Sequence, residues 1–149
     1  MRIYIPMTLA ELSAERVTAR RVHAVTSELR ATVVDEDSEG YEYIATLAAA
    51  DDSLRMLGEG PESSLRRIVA VAEVVDSSIS AVSDPQLPTE VELGTDISWK
   101  DVESFHMDAP GSESLISQAL AGDEEAFLAT GDIELLWFDI SEREQLAAL

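Results

Sequence analysis

Three features of this chain predict an α+β fold, laid out as a single domain over residues 1–149. Strand-like and helix-like segments are interleaved, but at irregular spacing rather than as repeated βαβ units. Arg67–Val75 is apolar on both faces, as a central strand covered on both sides must be. A long segment after Ser38 carries one apolar stripe at helical spacing. Together they predict a mixed sheet of about five or six strands, with helices packed mainly on one face.

Each element has a local reason. Ile3, Ile5 and Met7 alternate with Arg2 and Tyr4, which predicts a first strand closed by Pro6. Thr8 and Glu11 have the spacing of a capping box and predict a short helix to about Val17. Val22–Thr26 predicts a second strand, and Ser27 a single turn after it. The acids of Asp35-Glu36-Asp37 complement the dipole at the entrance of the long helix. Its stripe is Tyr43, Leu47, Ala50, Leu54 and Leu57, leaving Tyr41 exposed, and Gly58 with Gly60-Pro61 ends it.

After the Arg67–Val75 strand, residues 76–89, with Pro85 and Pro88, predict the longest loop. Glu90–Leu93 predicts an edge strand, since its acids discourage further pairing. Ser98 and Asp101 predict a capped turn, and Val102–Asp108 a strand. Ser112 opens a helix ending at Gly122, and Asp123 a second ending at Gly131. Ile133–Phe138 predicts the last strand, and Ser141 with Glu144 a capped C-terminal helix.

Charge restricts the function. Thirty acids against ten Lys and Arg give −20. Residues 84–149 hold sixteen acids against Lys100 and Arg143, −14 of that total. Such a surface repels phosphate backbones and anionic lipid, and attracts basic protein patches. Nucleic acid and membranes are therefore excluded as partners, and a basic protein is expected. There is no cysteine, which excludes disulfides and thiolate chemistry and fits the cytoplasm. No stretch has the length of a membrane helix, and the N-terminus lacks the apolar run of a signal peptide.

Residues able to carry chemistry are few. At neutral pH they reduce to His23, His106 and the carboxylates. His106 and Asp108 are two apart on a strand and share a face, with Phe105 and Met107 directed to the core. Imidazole and carboxylate suit zinc or another transition metal, and His23 from a neighbouring strand is the candidate third ligand. A structural His106–Asp108 pair at a sheet edge is the competing expectation. No phosphate-binding glycine motif or nucleophile elbow is present, so no cofactor is expected. Arg20-Arg21 and Arg66-Arg67 form one anion site if their strands are adjacent; otherwise they pair with local acids. Trp137, within LLWF, is expected in the core. Trp99 is expected to cover a sheet edge with its indole N–H on a carbonyl. Tyr4, Tyr41 and His23 are the side chains a ligand pocket would recruit.

The segments MRIYIP, VHAVTSELR, YEYIATLAAADDSLRML, RRIVAVAEV, WKDVESFHMD and ELLWF occur here in that order. In this the chain resembles, along nearly its whole length, a family of short acidic actinobacterial proteins of unknown function. The resemblance implies an intracellular bacterial protein and transfers no active-site residue. Two functions follow as expectations. The first is a non-catalytic cytoplasmic accessory or protein-binding domain, monomeric or homodimeric, whose acidic surface meets a basic partner. The alternative is a small metal-assisted, hydrolase-like enzyme using His106, Asp108 and His23.

Overall fold

The computed structural model describes residues 1–59 and 64–149. Its strands are β1 (Arg2–Met7), β2 (Arg20–His23), β3 (Ile68–Glu73), β4 (Ile79–Ala81), β5 (Glu90–Leu93), β6 (Val102–Asp108) and β7 (Leu135–Asp139). The helices are α1 (Ser27–Thr32), α2 (Ser38–Glu59), α3 (Glu113–Leu120), α4 (Glu124–Ala129) and α5 (Arg143–Ala147). One sheet of order β4-β5-β2-β1-β3-β6-β7 takes in all seven strands. The fold is α+β, but the sheet is wholly antiparallel rather than mixed, and it is larger than expected. The extra strand is β4, which lies inside the predicted loop and makes β5 an interior strand instead of an edge.

Side chains alternate across the sheet and so build two cores. On the upper face, Tyr4, Val69 and Val71 pack against Ala45, Ala49 and Ala50 of α2. On the lower face, Ile3, Ile5, Met7, Ile68, Ala70, Phe105 and Met107 pack with Leu12 and Leu146, from a 3₁₀ turn (Leu9–Ser13) and α5. Both faces are thus covered, the lower one by short elements. Among the described residues, no helix is long and apolar enough to cross a membrane.

Local chemistry explains the departures from expectation. Pro6 does not close β1 but pairs with Val69 within it. Its carbonyl turns to the β2 side and accepts from Arg20 Nη1 at 3.0 Å, so its missing N–H falls where β1–β2 pairing has already ended. The α2 stripe departs from the predicted one at its start: Tyr41 is buried and Tyr43 is exposed. Where α2 meets the sheet its contacts are the small side chains Ala45, Ala49 and Ala50. Further along, Ala50, Leu54 and Leu57 are buried as the predicted stripe requires and Leu47 is half-buried, so the departure is confined to the start of the helix. Gly60-Pro61, the expected helix stop, lies outside the described residues. The first capping box holds only a 3₁₀ turn, with Thr8 N–H donating to Glu11 Oε1 at 3.1 Å. At the C-terminus the box is Asp139 with Glu142 rather than Ser141 with Glu144.

Candidate functional site

A cavity of about 660 Å³ lies on the upper face between the first half of α2 and the β6–β7 end of the sheet. Its floor is Tyr4, His106 and Leu135, which share that face by strand parity. Tyr43 on α2 and Trp137 on β7 flank it; they are 55% and 60% exposed, two large aromatic surfaces left unpacked. Glu39, Glu42, Asp132 and Glu134 line it as well, against a single cation, Arg2.

The polar groups divide into paired and unpaired. Arg2 is taken by Glu103, at 2.6 Å, and by Glu42, at 3.6 Å. A β-bulge makes the first contact possible. Val71 pairs with Ser104 but the next residue, Ala72, pairs with Val102, so Glu103 is the extra residue. The bulge returns Val102 to the lower core and aims Glu103 at Arg2. Glu39, Asp132 and Glu134 make no ion pair among the described residues. His106 is half-buried and has no side-chain hydrogen bond among them. Burial, with the nearby Arg2 guanidinium adding to it, lowers its pKa from the ordinary 6.5, so the imidazole is neutral at pH 7. The cavity is therefore aromatic-walled, anionic and free of any uncommitted cation, a set of properties that suits a positively charged group.

The other two predicted site residues lie in different surroundings. Asp108 shares the upper face with His106, as expected, but is not presented outward. It is fully buried, and Arg67 grips it with Nε at 3.0 and 3.1 Å, Nη2 at 2.9 Å and backbone N–H at 2.8 Å. Arg66 donates to the Asp108 carbonyl, and Arg67 Nη2 also reaches the Thr130 carbonyl at 3.0 Å. This is a buried ion pair with most of its hydrogen bonds made. The exception is Arg67 Nη1, which has no partner among the described residues and lies 3.9 Å from Asp51 Oδ1. Burial raises the Asp51 pKa, against the pull of Arg67.

His23 does not neighbour His106. From β2 to β6 are three strand steps, about 14 Å at about 4.8 Å each. It is fully buried, with Nδ1 2.7 Å from Thr89 Oγ1 and Nε2 2.6 Å from Asp52 Oδ2. Asp52 also accepts from Arg55 at 2.6 Å. Burial would raise the Asp52 pKa, but the bonds from His23 and Arg55 outweigh it and hold the carboxyl below the usual 3.8. Among the described residues no three His, Asp or Glu side chains come together as a metal-ligand set. Nor do the arginine pairs form one anion site, since β1 separates β2 from β3. Arg20 is bidentate on Glu11, at 2.9 and 2.5 Å, and Arg67 is on Asp108.

The tryptophans contrast. Trp99 donates its Nε1–H to a carbonyl as expected, that of Ala14 at 2.8 Å. Its ring, however, packs on the lower core beside Phe105 rather than over a sheet edge, with the Arg143 guanidinium 4.5 Å over it. Trp137 is not core, because Phe138 takes the inward position on β7 and alternation turns Trp137 to the upper face. Tyr43 and Trp137 are the aromatic site residues that sequence reasoning missed, and Glu39, Asp132 and Glu134 were not distinguished from the general excess of acids. The aromatic signal was present but misassigned: Trp137 reads as core because it lies within LLWF, and Tyr43 because its spacing fits the helical stripe.

A family model described as a family of unknown function (DUF6912) matches residues 1–147. No match was found among curated proteins or among solved structures.

Proposed function

The chain belongs to that family of unknown function, and from its own geometry we propose that it is a non-catalytic cytoplasmic module that binds a basic protein partner. The observation that carries the proposal is the cavity beside Trp137, where two exposed aromatic faces and three carboxylates without ion pairs among the described residues surround one space. A lysine or arginine entering there meets ring faces and negative charge together, each worth more in a recess than in open water. The overall −20 adds long-range attraction and speeds encounter. Phosphate backbones and anionic lipids meet the opposite force.

The test is calorimetric titration with a short peptide alternating arginine and threonine, repeated at low and high salt. Binding should weaken as salt rises, and replacing Glu39, Asp132 and Glu134 together by Gln should weaken it further. An affinity unchanged by both sinks the proposal. The second reading, a small enzyme, now rests on His106 alone, a neutral imidazole in a recess with no side-chain hydrogen bond among the described residues. It requires turnover that disappears in His106→Gln.

A further inference from the structure

We propose that the basic partner binds as an added β-strand along the free edge of β7, placing every second side chain, a lysine or arginine, over the cavity. This rests on the reading of the cavity as a cation site and adds how the partner's backbone is held.

The edge itself is the first argument. β7 ends the sheet and is paired on one side only, with β6. That pairing runs through all five residues, Ser104–Asp139 to Asp108–Leu135, with no register shift, so the outer edge is straight. Leu135–Phe138 carries no lysine, proline or bulge of the kind that ordinarily guards an exposed edge; only at its end is the edge closed, where the Asp139 N–H donates to Glu142 Oε2 at 2.9 Å. The opposite edge is different: β4 is three residues long.

Parity is the second argument. Leu135 and Trp137 project to the upper face with His106, while Phe138 packs below. A residue paired with Trp137 from an added strand has its Cβ about 5 Å away on the same face. Its neighbours two residues along lie on that face too, so one basic residue in two reaches the cavity mouth. There the indole and the Tyr43 ring offer faces to a cation, and Glu39, Asp132 and Glu134 offer charge.

Charge selects the occupant. A second copy would bring together two surfaces from the half of the chain that holds −14, whereas a basic strand neutralises it. The edge and the cavity are contiguous through Trp137, so one extended basic segment satisfies both.

Three peptides test this: the alternating arginine–threonine peptide, and two versions N-methylated on alternate backbone nitrogens, one for each set of amides. All three carry the same charge and side chains. The parent should bind and slow hydrogen exchange in residues 135–139. One methylated version should bind at least about tenfold more weakly, having lost the amides that face β7. The other should keep its affinity. Equal binding by all three, without protection of β7, overturns edge pairing while leaving the cavity as a cation site. Failure of the parent peptide to bind overturns both. A dimer by light scattering that protects residues 135–139 without peptide also overturns the inference, because the occupant is then a second copy.

Discussion

His106 and Asp108 stand two residues apart on the same face of the same strand, yet one is open and the other is sealed. Asp108 sits where the first residues before β3, and Thr130 beyond α4, close over the end of β6, and Arg66 and Arg67 occupy its oxygens. His106, two residues toward the middle of the strand, lies in the cavity with the largely exposed rings of Tyr43 and Trp137. The same residue spacing thus yields a structural lock and a recess. Shared parity brings two side chains to one face, but what else reaches that face decides whether they are available.

The largest expected effect comes from opening the lock. Asp108→Ala leaves the Arg67 guanidinium buried without its counter-charge, which costs about 3–5 kcal/mol. His106→Ala, with no hydrogen bond to lose, should cost about 1 kcal/mol or less. Urea unfolding of both variants checks this, and similar losses would erase the contrast. His23 belongs with Asp108 on the sealed side. His23→Ala orphans Thr89 and leaves Asp52 with Arg55 alone, for a loss of about 2 kcal/mol. A negligible loss would mean that water replaces the imidazole.

Trp137→Ala should leave stability within about 0.5 kcal/mol while lowering affinity for the arginine–threonine peptide about tenfold, or about 1.4 kcal/mol. Fluorescence simplifies the comparison, because the remaining Trp99 is anchored away from the cavity. A large drop in melting temperature would instead make Trp137 a packing residue.

The smallest effect is in pH dependence. Burial and Arg2 lower the folded pKa of His106, so below the ordinary 6.5 the unfolded chain binds protons that the folded chain resists. Stability from this group is therefore complete above 6.5 and is lost as pH falls through the folded value. Tyr4, Glu42 and Arg2 share the cavity with it. His106→Gln should flatten the stability curve just below 6.5 and leave it unchanged above. Asp52, whose pKa is lowered, acts further down, losing its contribution as pH falls below 3.8. A variant curve parallel to the parent across the first window would show that His106 is freely solvated.

Much of the fold was legible. β3 and β6 follow from their apolar runs, and α2 from its length and acidic entrance. The N-cap at Asp123 was also readable, its Oδ1 accepting from Glu125 and Ala126 at 3.0 and 3.2 Å. Phe105 and Met107 are core, as alternation required. Misses cluster where a residue's partner is distant in sequence. β4 is three residues whose only reason to be a strand is β5 beside them. Tyr43 and Tyr41 are both compatible with a helix, and only the position of the sheet chose between them. For the candidate site, the sequence singled out His106, Tyr4 and the charge but not the cavity, whose lining residues come from β1, α2, β6, β7 and the segment leading into β7.

By itself, the chain's composition determined a strongly anionic molecule, and its local patterns determined an α+β fold with a doubly buried central strand. Those properties depend on residue type and on neighbours a few positions away, so they are present before the chain closes. Tertiary structure alone decided that Arg67, forty-one residues from Asp108, would cancel its charge, and that His23 would turn to Asp52 instead of His106. It also decided that Trp137 would face outward. Each depends on which strands become neighbours and which face a helix covers, and these are settled by packing the whole sheet at once.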